Sequence, residues 1–324
     1  EFTAPPVILR VDDSVIGTLG NFSASTGKAK SKKTFNVCAI VAAAMTGGTV
    51  LNYSASLPPE RRRILYVDTE QSRFHCKRVL CRILRLAGLP TDVHPPLLEF
   101  LCLRGYATKE RLRKIAEAIY DLDDLGLVVI DGIRDLAHDI NSPGEATDLI
   151  TKLMQWTDER RIHIHTVLHL NKGDDNTRGH LGTELNNKAE TVLQITKDDF
   201  DRDVSSVAAM HIRDRDFEPF AFRINADALP EQVEDYQLRQ TTAAKSFDYA
   251  EVCEAKHREA LELLFSKADR VSYSSLIGRL QSSYAAIGHS FGINKAKQLK
   301  VFLENKRMIV KEDKFYRYNP EFHY

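Results

Sequence analysis

Several features are scarce or missing in this chain of 324 residues, and each absence narrows what it can be. No apolar run approaches the roughly 18 residues of a membrane-spanning helix. The five cysteines, Cys38, Cys76, Cys81, Cys102 and Cys253, form no C-x-x-C pair and no metal-ligand spacing. Scattered in this way, they fit a reducing cytoplasm in which cysteine acts as a small hydrophobe. Net charge is zero, with 45 basic and 45 acidic residues, so the whole chain carries no general attraction for nucleic acid or membrane. No secretory signal, internal repeat or low-complexity segment is visible. The single tryptophan, Trp156, and the scattered Phe and Tyr residues fall at core-like positions and are assigned to packing. What remains is an ordinary globular composition, 43% hydrophobic and 28% charged, long enough for two or so domains.

One further absence is local. The stretch SASTGKAKSKKTF, residues 23–35, nearly matches the phosphate-loop pattern G-x-x-x-x-G-K-[ST]. Gly27, Lys33 and Thr34 are in register, but Lys32 occupies the place of the second glycine. A strand before the loop (Ile16–Ser25) and an alanine-rich helix after it (Lys33–Met45) supply the context that such a loop needs. Backbone N–H groups of residues 27–35 (Gly27, Lys28, Ala29, Lys30, Ser31, Lys32, Lys33, Thr34, Phe35) would then cradle phosphates at a helix N-terminus. Lys33 would meet the β- and γ-phosphates, and the Thr34 hydroxyl would hold Mg²⁺. A non-glycine residue at positive φ costs roughly 1–2 kcal/mol, whereas micromolar binding yields about 8 kcal/mol. The substitution is therefore affordable, and a further lysine facing phosphate charge can assist. The other reading of the loop is a solvated basic turn.

Short apolar runs alternate with helix-period stretches up to about residue 225. Strands are expected at Ile64–Asp68, Leu98–Leu103, Leu127–Ile130 and Ile162–His169, and helices at Arg73–Ala87, Lys109–Leu122 and Glu145–Glu159. This alternation predicts an α/β fold, a mostly parallel sheet covered by helices on both faces. Runs at Thr191–Thr196, Ser206–Ile212 and Pro219–Ile224 follow without helices and are expected to extend it as an antiparallel edge. Asp131 ends the buried run LGLVVI, the place of a metal-holding acid, and Glu70 ends ILYVDTE, where a carboxylate can act as general base toward water. The carboxyl edge of a parallel sheet, where such strand tips meet, is where α/β proteins bind ligands.

The loop, the glutamate after the next strand, the aspartate after a central strand and the polar tip LHLN together resemble the RecA-like ATPases. The likeness covers roughly residues 10–225 and is nearest the hexameric helicase branch, the DnaB-like and plasmid RepA-type enzymes and the ATPases of bacterial mobile elements. That resemblance implies a bacterial cytoplasmic ATPase using ATP and Mg²⁺, assembled as a homo-oligomer, a hexameric ring with single-stranded DNA in its channel. It also implies Lys33, Asp131 and Glu70 as catalytic residues, Thr34 and Asp131 at the metal, and His169 or Asn171 as γ-phosphate sensor. Lys172 and Arg178 would be the cations of a DNA-facing loop, and Arg213 and Arg215 a pair reaching the neighbouring subunit's nucleotide.

Periodicity fades over residues 226–246, which read as a linker. Residues 247–324 then run helix, helix, helix, hairpin, the order of a winged helix-turn-helix. From Glu251 to Tyr324 there are 13 basic against 9 acidic residues. Lys295, Lys297 and Lys300 on the third helix are the candidate phosphate contacts for duplex DNA. The expected whole is a DNA-associated ATPase or helicase serving a mobile genetic element. The alternative is an ATP-controlled DNA-binding initiator or regulator that turns over slowly and separates no strands.

Overall fold

A computed structural model of the chain describes residues 3–170, 179–198, 201–234, 236, 249 and 252–321. It divides into two units, Glu1–Leu238 and Arg239–Tyr324. The first unit opens with β1 (Val7–Val11), β2 (Ser14–Thr18), β3 (Phe22–Gly27), α1 (Lys33–Thr46), β4 (Thr49–Val50) and β5 (Tyr53–Ala55). There follow β6 (Arg63–Asp68), α2 (Arg73–Leu86), β7 (Leu98–Cys102), α3 (Thr108–Asp121), β8 (Leu125–Asp131), α4 (Pro143–Arg160) and β9 (His163–His169). The unit ends with α5 (Gly179–Lys188), β10 (Thr191–Lys197), β11 (Val204–Ile212), β12 (Phe220–Ile224) and β13 (Pro230–Val233).

A nine-stranded sheet runs in the order β13-β12-β11-β10-β3-β9-β8-β6-β7. The six strands from β10 to β7 are mutually parallel. Every residue of β3 and β8 is buried, as expected where helices cover both faces. One apolar layer packs the sheet against α1 and α2, through Val37, Ile40, Val41, Val79 and Ile83. The other packs it against α3, α4 and α5, through Ile115, Ile119, Leu149, Leu153, Leu181 and Leu185. Each such Ile or Leu contributes roughly 1.5–3 kcal/mol by leaving water. α1 is apolar nearly all round because it is enclosed nearly all round, with 11 buried residues. α4 begins with Ser142, whose hydroxyl accepts from Glu145 N–H, and Pro143 in the first turn.

Several expectations need correction. Ile16–Ser25 is not one strand: β2 ends at Thr18, the chain turns through Leu19–Asn21, and β3 restarts in another sheet. β2 belongs to a four-stranded sheet, β2-β1-β5-β4, that the apolar pattern did not announce. β10 is parallel to β3, so the antiparallel edge begins only at β11. The span 226–246 read as linker contains β13, which pairs with β12. Residues 179–188, which the periodicity does not mark as a helix, form α5. Among the described residues no helix is long and apolar enough to cross a membrane.

The second unit contains α6 (Glu254–Phe265), β14 (Val271–Ser272), α7 (Tyr273–Ala286), α8 (Ile293–Asn305), β15 (Ile309–Glu312) and β16 (Phe315–Tyr318). Its small sheet has the order β14-β16-β15. Leu261, Leu276, Leu280, Tyr284, Leu299, Leu303 and Tyr316 form the core. Ala296, Leu299 and Leu303 point inward as their spacing requires, but Ile293 is 56% exposed.

Candidate active site

The loop between β3 and α1 is built by close approach. A Cβ on Gly27 would lie 2.4 Å from both the Ile195 carbonyl oxygen and Ser31 Oγ, so no other residue fits there. Lys30 (φ 66°) and Lys32 (φ 67°) both adopt the left-handed conformation, strained for L-residues. Lys32 thus takes the backbone shape expected of the missing glycine. Lys32 also lines the cleft described below, with its ammonium engaged by backbone. Lys32 Nζ donates to the carbonyl oxygens of Arg202 and Asp203, at 3.3 and 2.6 Å, between β10 and β11.

Lys33 folds back over the loop and donates to the carbonyl oxygens of Gly27 and Lys28, both at 2.9 Å. Burial lowers its pKa to about 8, against the opposing pull of Asp131 and Glu70. Ser31 Oγ is buried and has no hydrogen-bond partner. A cation held on carbonyl oxygens, an orphaned buried hydroxyl and left-handed turns make a concavity whose donors fit an anion.

Register brings the acids to the same edge. Asp68 and Asp131 are aligned across β6 and β8. β9 separates the Asp131 strand from the loop strand β3, so the metal-type acid reaches Thr34 across one intervening strand. Thr34 Oγ1 donates to Asp131 Oδ2 at 2.9 Å, and the Tyr66 hydroxyl donates to the same oxygen at 2.9 Å. Burial, with the nearby Asp68, pushes Asp131 up to about 6, and these two hydrogen bonds oppose the rise. A hydroxyl and a carboxylate paired in this way suit a hard divalent cation with retained water.

Glu70 depends on two neighbours. Asp68 accepts from the N–H groups of Glu70 and Gln71, at 3.0 and 2.7 Å, and so shapes the turn after β6. At Gly132 (φ 106°) an added Cβ would meet Thr69 Oγ1 at 2.2 Å and Glu70 Cγ at 3.0 Å. His169, at the tip of β9, places Nε2 3.6 Å from Glu70 Oε1. That interaction lowers the Glu70 pKa and keeps the carboxylate ionised.

Beneath the loop, β3 is tied to β9 by a directed polar chain. The Thr18 carbonyl must accept from His163 Nδ1 (2.8 Å). His163 Nε2 therefore accepts from Ser23 Oγ (2.7 Å), and Ser23 Oγ accepts from His165 Nδ1 (2.8 Å). Ser25 Oγ closes the chain on His165 Nε2 at 2.8 Å. Burial lowers both imidazole pKa values, that of His165 to about 3, so both are neutral.

A cleft of about 440 Å³ contains Lys33, Thr34, Glu70, Asp131 and His169. Its wall also includes Gln71, His75, Arg78 and Arg82, which the motifs did not single out. For Arg78 and Arg82 the one signal is a cationic face on α2, recurring at Lys77/Arg78, Arg82 and Arg85. Arg213 and Arg215 are not at this edge. Ile212 pairs with Thr191, at the N-terminal end of β10, and Arg213 Nη2 donates to the Lys188 carbonyl at 3.0 Å. Asn171, Lys172 and Arg178 lie outside the described residues.

In the second unit the three lysines of α8 have different surroundings. Lys297 is exposed. Lys295 Nζ lies 5.0 Å over the Tyr249 ring. Lys300 is ion-paired with Glu304 and lies 5.1 Å over the Tyr316 ring, so its stem and charge serve the fold.

Residues 6–175, just over half of the chain, match the family described as AAA domain. No curated protein matches the sequence. Among solved structures the chain is similar to the crystal structure of the RadB recombinase, at 15% identity and a TM-score of 0.47, over 67% of this chain and 92% of that one. The family match runs from β1 through β9 and takes in Gly27, Lys33, Thr34, Glu70, Asp131 and His169 together; the chain belongs to the AAA domain family.

Proposed function

We propose that the protein is a RecA-like P-loop ATPase that hydrolyses ATP with Mg²⁺ and acts on DNA. The observation that carries this reading is the meeting of Lys33, Thr34, Glu70 and Asp131 in one cleft at the carboxyl edge of a parallel sheet. Lys33 and the loop N–H groups would bind the triphosphate, and Thr34 with Asp131 would hold the metal. Mg²⁺, when bound there, supplies charge neutralisation for the transferred phosphoryl group. Glu70, ionised and within reach of His169, is positioned to accept a proton from water. His169 senses occupancy through the same contact.

The finer reading is a homo-oligomeric helicase-type motor, a hexameric ring serving a mobile genetic element. Arg213 and Arg215 are exposed and remote from this chain's own cleft, and in this reading they reach the nucleotide of a neighbouring subunit. The second unit is read as a winged helix-turn-helix because three helices precede a hairpin whose strand β16 also pairs with β14. Exposed Lys297 on α8 is its duplex-DNA contact.

The test is Glu70→Gln. The variant should bind ATP as the parent does and lose turnover by roughly 10²–10⁴-fold. Parent-like hydrolysis would remove Glu70 from the reaction. Strand displacement on a forked duplex separates a motor from an ATP-controlled initiator.

A further inference from the structure

We infer that the loops after β6 and β7 form a binding surface for single-stranded nucleic acid, none of whose residues is among the DNA contacts named above. Asp68 and Cys102 are aligned at the ends of these two parallel strands, so the loops that follow emerge side by side. Between them lies a hollow of about 510 Å³, lined by Gln71, Ser72, Arg73, Arg104 and Tyr106. Gln71 lines both this hollow and the cleft, so the two adjoin. Each loop places a cation beside an aromatic ring. Arg73 and Phe74 open α2, and Arg104 and Tyr106 stand two residues apart after β7. All four side chains are exposed, and Phe74, at 70%, is the most exposed large apolar side chain among the described residues.

The surface is preformed. Arg111 fixes the loop after β7: Nε donates to the Leu103 carbonyl at 3.1 Å, Nη2 to that of Arg104 at 2.9 Å and Nη1 to that of Asp135 at 3.1 Å. The Phe74 ring stands nearly perpendicular to that of His75, with centroids 5.4 Å apart, and His75 Nδ1 is hydrogen-bonded to Ser72 Oγ at 3.0 Å. Lys114 Nζ lies 4.5 Å over the Tyr106 ring. The chain as a whole is neutral, yet α2 carries five cations and no acid, so Arg73 has no partner on its own helix. Guanidinium groups fork onto phosphate oxygens, and exposed rings stack on bases. A duplex hides its base faces and a free anion has none, so only a single strand engages both kinds of group. Every base offers a π-face, so such binding tolerates sequence.

The experiment titrates the full chain, without nucleotide, into fluorescein-labelled oligo(dT), oligo(U) and an oligo(dT)–oligo(dA) duplex, and reads anisotropy. The proteins are the parent, Phe74→Ala, Phe74→Tyr and the double variant Arg73→Ala/Arg104→Ala, with thermal melts to verify folding and light scattering to follow assembly. Phe74→Ala should weaken oligo(dT) binding roughly tenfold to a hundredfold, and Phe74→Tyr, which keeps a ring, should bind as the parent does. The double variant should lower the salt slope by about 1.4, or about 0.7 for each lost phosphate contact. Phosphates and base faces are common to DNA and RNA, so the same losses should appear with oligo(U). Duplex affinity should not respond to Phe74→Ala. The inference fails if the parent does not bind oligo(dT), if Phe74→Ala binds it like the parent, or if the loss is equal for the duplex. Losses confined to one polymer would place recognition on the sugar and also overturn it. Unchanged oligonucleotide affinity with a smaller assembly would make the surface a subunit contact instead. ATP affinity, measured separately, should match the parent in every variant, and a loss there would assign these residues to the cleft and overturn the inference. Because the titrations contain no nucleotide, their failure leaves the reading of the cleft untouched.

Discussion

Replacing Lys32 by glycine and by alanine separates backbone from side chain at the irregular position of the loop. Both changes remove the ammonium and its contacts with the Arg202 and Asp203 carbonyls. Those contacts are partly exposed and stabilise by about 0.5–1 kcal/mol. Only glycine relieves the φ of 67°, a gain of roughly 1–2 kcal/mol. Glycine also loosens the unfolded chain, which costs about 0.4–1 kcal/mol. The three effects nearly cancel for Lys32→Gly, so its stability should stay within about 1 kcal/mol of the parent. Lys32→Ala keeps the strain and loses the contacts, so it should fall below Lys32→Gly by about 1 kcal/mol. Urea unfolding followed by circular dichroism reads that difference. Because Nζ is engaged by carbonyls, ATP affinity should shift by less than about tenfold in either variant. An alanine variant as stable as the glycine variant would refute the left-handed conformation at Lys32. A hundredfold loss of ATP affinity would place its ammonium on phosphate.

Asp131→Asn should stabilise the fold at neutral pH. The folded-state pKa is raised to about 6, so the ionised carboxylate burdens the native state above that pH, and the burden disappears as pH falls toward the unfolded value near 4. The variant should gain about 2–3 kcal/mol at pH 8 and nothing at pH 4, by urea titration at both values, while ATP turnover is lost. Equal stability of parent and variant at pH 8 would refute the buried charge. In the second unit, Lys297→Ala should lower the salt slope of duplex DNA binding by about one. Lys300→Ala should leave that slope unchanged and lower the melting temperature, and the reverse pattern would refute the placement of the two side chains.

The periodicity of the chain was sufficient for the parallel strands β3, β6, β7, β8 and β9 and for α1–α4, but not for α5 or for the direction of β10. Continuous apolar runs such as LGLVVI occur where a strand is buried on both faces, and α1 is apolar all round for the same reason. The motif residues Lys33, Thr34 and Asp131 were legible because each stands at the end or start of such an element, and Glu70 because it follows the end of β6 by two residues. The small sheet was not legible, because β4 and β5 are two and three residues long and are held by pairing with each other and, through β5, with β1. The break between β2 and β3 was hidden for a related reason: Leu19 and Phe22 are both buried, so hydrophobicity runs on through a turn that only pairing partners reveal. What Lys32 does depended wholly on tertiary structure, since the hairpin carbonyls that take its ammonium lie about 170 positions away in sequence. The same holds for Lys300, whose spacing matched an exposed cation but whose neighbours are Glu304 and two tyrosine rings. Arg82 shows the limit most plainly. On a helical wheel it is one of several exposed-looking cations, and only the packing of α2 against Phe35 and the β12–β13 turn makes it a fixed plane in the cleft.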